Sequence, residues 1–124
     1  MKETKLEKQK QNLVKIGVME ESDALIDFFQ AGYMERLIGR WGRWKKGWAY
    51  FTEERLIVIT GLLEENIVIP YQNIRAMEKC SQGIVPIGIA VTYENMEGKI
   101  VTDKLSLMKR EQWMSFMAER CKAE

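Results

Sequence analysis

Histidine is absent from the 124-residue chain. With it go the commonest general base, the commonest metal ligand and every Ser-His or Cys-His nucleophile pair. Cysteine is nearly absent: Cys80 and Cys121 stand far apart, in no metal or redox motif. That excludes a secreted disulfide framework and leaves free thiols in a reducing compartment as the simpler account. Long apolar runs are lacking too. The longest are short segments such as Leu56-Ile57-Val58-Ile59, well below the roughly 20 residues of a membrane span. No basic-then-apolar leader is read at residues 1–12, which mix charge with Gln and Asn, so a cytoplasmic location is expected. An excess of one charge sign is also missing: 19 Lys and Arg face 18 Asp and Glu, a formal charge of +1. No global field then favours nucleic acid or membrane, and any electrostatic preference has to come from local clustering. No repeat or low-complexity tract points to a second domain, and the length fits one core.

What is present is mostly β signal. Gly47 to Thr52 is a strand rich in aromatics, Glu53-Glu54 a tight turn, and Arg55 to Thr60 its returning partner. Gly61 to Asn66 makes a second turn, followed by a strand that Pro70 ends. Ile74 to Lys79 alternates apolar and polar with a period of two, Ser81-Gln82-Gly83 is a loop, and Ile87 to Tyr93 is a further strand. Glu94 to Gly98 is a hairpin turn whose glycine is free to take positive φ, and Ile100 to Leu107 completes the meander. The period then changes: Trp113, Phe116, Met117 and Cys121 fall at helical spacing in Lys109 to Lys122. At the other end, Met1 to about Gly17 reads as a helix with a thin stripe of Leu6, Leu13 and Ile16, suited to docking, to a partner helix or to fraying. Residues Asp23 to Trp41 fit a helix or a bent strand. Ser22 or Asp23 as an N-cap favours helix or turn to about Phe29, then a strand from about Tyr33.

A β-meander closed by one tryptophan-bearing helix resembles the pleckstrin-homology superfold. The local match is to its GRAM branch. Gly47-Trp48-Ala49-Tyr50-Phe51-Thr52-Glu53-Glu54-Arg55-Leu56-Ile57 is similar to a glycine-aromatic strand entering a Thr-x-x-Arg-Leu-Ile turn. Ile67-Val68-Ile69-Pro70-Tyr71-Gln72-Asn73-Ile74 is similar to an Ile-x-Ile-Pro-Tyr-x-x-Ile element, and Arg110-Glu111-Gln112-Trp113 to the start of the closing helix. The resemblance covers about residues 20–122. It implies an α+β, mainly β fold: an antiparallel meander of about seven strands, forming a partly open barrel or two packed sheets, capped by a C-terminal helix. Residues 1–19 are then a helical extension and 20–124 the PH/GRAM-like domain. From the residues themselves, Thr52 is placed to bond its own turn backbone, Arg55 to keep its charge at the strand rim, and Leu56 and Val58 to face away from Ile57 and Ile59.

The sharpest chemistry lies in residues 36–46, where Arg36, Arg40, Arg43, Lys45 and Lys46 occur with no acid. In the resemblance this is the first strand and the loop to the second, the region that lipid-binding pleckstrin-homology domains use for inositol phosphates. Arg offers phosphate a planar fork and Lys a mobile point charge, and Trp41 and Trp44 suit a membrane interface. The plainer account packs both tryptophans and leaves the charges to solvate a loop. The leading expectation is therefore a non-catalytic module that binds a protein partner or a second copy, through the first helix or a sheet edge. An anionic lipid or phosphate at residues 36–46 is the alternative. Eight methionines, among them Met77, Met96, Met108, Met114 and Met117, suit adaptable surfaces and equally suit a core.

Catalytic, metal and cofactor sites are not expected. The clusters Glu53-Glu54, Glu64-Glu65 and Glu20-Glu21-Ser22-Asp23 sit at turn signals, where solvated charges are usual. Gly39, Gly42 and Gly47 are spaced wrongly for a phosphate loop, and Gly39 and Gly42 suit relief of a bend. Cys80 lacks a histidine to activate it. Nucleic acid is not expected either, because one basic loop on a nearly neutral domain is a small footprint.

Overall fold

Alternating apolar residues and short turn signals give seven strands and two helices in a computed structural model. It describes residues 2–37, 40–59, 66–82 and 85–121, and within them the side chains of all but 2–3, 35–37, 40–43, 81–82 and 85–86. Helix α1 (Lys2–Lys15) leads into β1 (Leu25–Leu37), β2 (Arg40–Thr52), β3 (Arg55–Ile59) and β4 (Ile67–Pro70). A 3-10 turn at Tyr71–Asn73 follows, then β5 (Ile74–Gln82), β6 (Val85–Glu94), β7 (Ile100–Ser106) and helix α2 (Arg110–Cys121). All strands join one antiparallel sheet in the order β4-β3-β2-β1-β7-β6-β5, which is not closed. Its two halves meet where β1 and β7 share only two paired positions, Gly32 with Ser106 and Tyr33 with Leu105.

The inner face holds the main core. Ala49, Phe51, Leu56, Val58, Ile69, Ile89, Val91 and Leu105 are buried there, and α2 closes it with Trp113 and Met117. Trp113 stacks on Phe51 at 4.1 Å between ring centroids and 17° between planes, with Phe29 and Phe116 at its other sides. A single large flat side chain thus fills the mouth of the curved sheet. Leu56 and Val58 point into this core while Ile57 and Ile59 belong to a second cluster, the alternation expected from the pleat.

That second cluster lies on the outer face, where α1 docks through Leu13 against Tyr50, Ile57 and Met19. The helix ends in a Schellman motif: Val18 N–H donates to Leu13 O and Gly17 N–H to Val14 O. Gly17 takes φ +89°, a conformation that glycine alone adopts without strain. Its thin stripe is thus partly used within the chain, since Leu13 is 1% exposed while Ile16 stays at 52%.

Two expectations fail at the start of the sheet. Residues 25–37 are one long strand, not a helix to Phe29. Irregularities between Leu25 and Asp27 and between Met34 and Arg36 break the period of two, so the apolar residues imitate a helical spacing. Residues 36–46 are not a loop: 36–37 and 40–46 are the outer ends of β1 and β2, paired as Leu37 with Arg40 and Arg36 with Trp41. Strand β2 therefore begins at Arg40 and not at Gly47. Likewise β5 runs through Ser81 and Gln82, because the strand carries an irregularity between Cys80 and Gln82 that lets it continue past the polar residues.

The β2–β3 turn is a junction for four parts of the chain. Thr52 Oγ1 accepts from the Glu54 and Arg55 amides and donates to Arg55 O. Tyr71 Oη donates to Thr52 O at 2.7 Å, Glu53 N–H donates to Ala24 O, and Arg120 Nη2 of α2 pairs with Glu53 at 3.0 Å. Asp23, expected as a solvated turn acid, is 2% exposed. Its Oδ2 lies 3.5 Å from Arg55 Nε and its Oδ1 accepts from the Ala24 amide. Arg55 is accordingly turned onto a buried carboxylate, not left at the strand rim. Burial raises the Tyr71 hydroxyl well above the usual tyrosine value; the Asp23 and Glu53 charges push the same way and Arg120 opposes them.

Candidate functional site

Of the residues singled out at 36–46, the structure places Trp44, Lys45 and Lys46 side chains, all on β2. The side chains of Arg36, Arg40, Arg43 and Trp41 lie outside the described residues, as do residues 60–65 with Glu64-Glu65, and Gly39. Trp44 is half-buried, with its ring close to Gly32. Lys46 is exposed and faces Gly32 across the β1–β2 ladder. Lys45, on the opposite face from Trp44, is half-buried and engaged with neighbours.

Sequence reasoning missed what surrounds these residues. The paired positions Lys46, Gly32, Ser106, Gly88 and Cys80 run as one row across β2, β1, β7, β6 and β5. Small residues in its middle make a trough across the outer face. A Cβ built on Gly32 would overlap Ser106 Oγ. At Gly88 a Cβ would lie 2.8 Å from Cys80 Sγ and 3.0 Å from Cys80 O, so the backbone there tolerates no side chain. Over this row opens a cavity of about 260 Å³ lined by Gln30, Gly32, Trp44, Lys46, Ser106 and Met108, with Ile87, Ala31 and Lys45 completing it. Among the described residues no acidic side chain lines it. Only pairing of strands distant in sequence assembles this row, so no local spacing could have shown it.

Beside the cavity the outer face is aromatic. Phe28 stacks on Tyr50 at 5.8 Å and meets Trp48 at 6.2 Å, while Trp48 keeps 42% and Met108 66% of its surface exposed. Three acids elsewhere form ion pairs: Glu94 with Arg75, Glu111 with Lys79, and Glu53 with Arg120. The Lys79 hydrogen bond holds the Glu111 carboxyl below its ordinary range. Among the described residues no group of three or more Cys, Asp or Glu side chains is placed to hold a metal ion, and no helix is long and apolar enough to cross a membrane.

No protein-family description matches the sequence, and no curated protein matches it. Solved structures do. The C-terminal domain of an unknown protein from Leishmania infantum superposes with a TM-score of 0.62 at 17% identity, over 93% of this chain and 95% of that one. A structure of human RhoA in complex with the DH/PH fragment of PDZ-RhoGEF gives 0.59 at 9% identity, over 83% of this chain and only 30% of the matched chain. The N-terminal PH domain of human ARAP2 gives 0.54 at 14% identity, over 85% and 84%. At such identities the likeness is one of fold, which is pleckstrin-homology-like.

Proposed function

We propose that this pleckstrin-homology-like chain is a non-catalytic binding module, nearest the GRAM branch, that recognises a protein through the outer face of β1 and β2. The observation that carries this reading is the exposed pair Trp48 and Met108 beside half-buried Trp44. The inner face is consumed by the core that α2 closes, and α1 covers the outer face around Tyr50 and Ile57. Clustered aromatic and methionine side chains left open on a surface mark interaction sites. Lys46 on that face, and the basic end of the hairpin, favour a partner with an acidic rim. A DH/PH fragment bound to RhoA shows the same fold inside a protein complex, which supports a protein partner as a class.

The test is a photo-crosslinking side chain at position 48 in living cells, with position 99 in the β6–β7 turn as control. A discrete protein adduct from position 48 and none from 99 is expected. Equal labelling from both, or labelling of lipid alone, defeats the reading.

A second reading is supported by the hairpin register, in which Leu37 pairs with Arg40 and Arg36 with Trp41 on the same hairpin that carries Lys45 and Lys46. That arrangement suits an anionic membrane surface. Vesicles containing phosphatidylserine or phosphoinositide, tested with Arg40, Arg43, Lys45 and Lys46 all changed to Ser, separate the two: unchanged or absent vesicle binding removes the membrane.

A further inference from the structure

The trough at the β1–β7 seam holds a polar group that the fold itself does not use. Ser106 is 5% exposed, and among the described residues no hydrogen bond reaches its hydroxyl. Its oxygen is not sealed off but opens into the cavity, so an occupant there can accept from it. The hydroxyl lies over Gly32 and lines the cavity. Beside it stand Lys46, exposed and without an ion-pair partner among the described residues, and the Gln30 amide. The other walls are Trp44, Ile87 and Met108. The site therefore offers donors for an anion at one side and an apolar wall at the other.

The volume decides the scale of the occupant. About 260 Å³ is below the usual range of roughly 300–1,000 Å³ for small-molecule pockets, and fits one residue-sized group. Ionised carboxylate accepts hydrogen bonds and donates none, which matches the Ser106 hydroxyl and Lys46 ammonium. A phosphate, with more oxygens to satisfy, would face mostly apolar wall. An internal Glu or Asp would bring a carboxylate and leave Trp44 and Met108 uncovered. Only the last residue of a chain carries a carboxylate and an apolar side chain on the same carbon.

We infer that this trough captures the C-terminal carboxylate of a partner protein ending in an apolar residue, with Ser106 and Lys46 on the carboxylate and Trp44 and Met108 on the side chain. The inference rests on the protein-recognition reading and names the group recognised. Backbone amides and charged side chains serve such capture in other peptide-binding modules.

The experiment titrates the ¹⁵N-labelled chain with N-acetyl-Gly-Gly-Phe bearing a free C-terminal carboxylate, with the same peptide amidated, and with 3-phenylpropanoate. The free-carboxylate peptide should shift the Gly32, Lys46 and Ser106 amides, and the amidated peptide should bind at least about tenfold more weakly, as loss of a charge-assisted hydrogen bond predicts. Ser106→Ala and Lys46→Met should each weaken the acid peptide about five- to tenfold, with an otherwise unchanged spectrum. Shifts confined to other residues, equal binding of acid and amide, or wild-type affinity in both variants overturns the site. Binding of 3-phenylpropanoate without binding of the peptide overturns the C-terminal source in favour of a free carboxylic acid. Failure of all three probes beside a persistent position-48 adduct removes this inference and leaves the protein-recognition reading standing.

Discussion

Removing Arg55 should cost far more than removing Asp23, although the two form one ion pair. The Asp23 side chain is 0% exposed and that of Arg55 19%. Arg55→Ala leaves a carboxylate in the protein with neither counter-charge nor water. Breaking a buried pair from one side costs about 3–5 kcal/mol, and the partial exposure of Arg55 points to about 3. Asp23→Ala is milder. Arg55 then turns outward to Glu54, already 3.3 Å away, and what is lost is the hydrogen bond from the Ala24 amide, about 1 kcal/mol. The double variant should resemble Asp23→Ala, giving a coupling of about 3 kcal/mol. Urea unfolding followed by tryptophan fluorescence reads these differences directly against a total stability of about 5–15 kcal/mol. Raising the salt should leave them nearly unchanged, because buried pairs are poorly screened. Equal losses for the two single variants, or losses that simply add, would refute the reasoning.

Trp113→Ala, which empties the 4.1 Å stack on Phe51, should lower stability by about 3–5 kcal/mol; a loss under 1 kcal/mol by urea unfolding means α2 is not the closing element. The raised Tyr71 hydroxyl makes the fold alkali-sensitive: its contribution is fully present below about pH 10, the unfolded value, and is lost as pH rises beyond it, at up to about 1.4 kcal/mol per pH unit. Tyr71→Phe should flatten that slope, leaving only the smaller share from Tyr50, whose hydroxyl burial also raises. It should also cost about 1 kcal/mol near neutrality through the lost bond to Thr52, so parallel alkaline losses in both proteins would count against it. Leu13→Ala should free α1 from Tyr50 and Ile57; a 14-residue helix is marginal alone, so its amides should exchange at unfolded rates while the sheet stays protected. A cooperative loss of protection in both would show instead that α1 belongs to the core.

The strands after Gly47 were legible because each repeats with period two between clear turns, and the alternation of Leu56 and Val58 against Ile57 and Ile59 is the pleat read directly. Strand β1 was not. The irregularity between Leu25 and Asp27 shifts the parity within Leu25 to Phe29, and an N-cap signal at Asp23 belonged to an ion pair with a residue far along the chain. Spacing alone cannot report such a pair. The basic, tryptophan-bearing stretch was visible as composition, yet its being strand and not loop depended on β1 lying beside it. Gly32, Ser106 and Gly88 carried no signal singly; the sheet order makes them neighbours.

That row also breaks the rules by which the rest of the sheet is built. A strand glycine costs roughly 0.5–1 kcal/mol relative to Ala, and a hydroxyl that makes no hydrogen bond within the described residues and opens only into a cavity up to about 1 kcal/mol. At Gly88 the Cys80 backbone explains the glycine. At Gly32 the only close obstruction is Ser106 Oγ, the end of a side chain that can rotate, so no backbone contact accounts for glycine there. Local costs kept together at one place, in a chain whose other choices agree with its fold, are the mark of a site held for binding. Ser106→Ala should accordingly raise the urea midpoint by the equivalent of about 0.5–1 kcal/mol, the lower range because the cavity admits some water. The same change should weaken the carboxylate site. If Ser106→Ala instead destabilises the chain, the hydroxyl serves the fold, and the strongest argument for a ligand over the β1–β7 seam is gone.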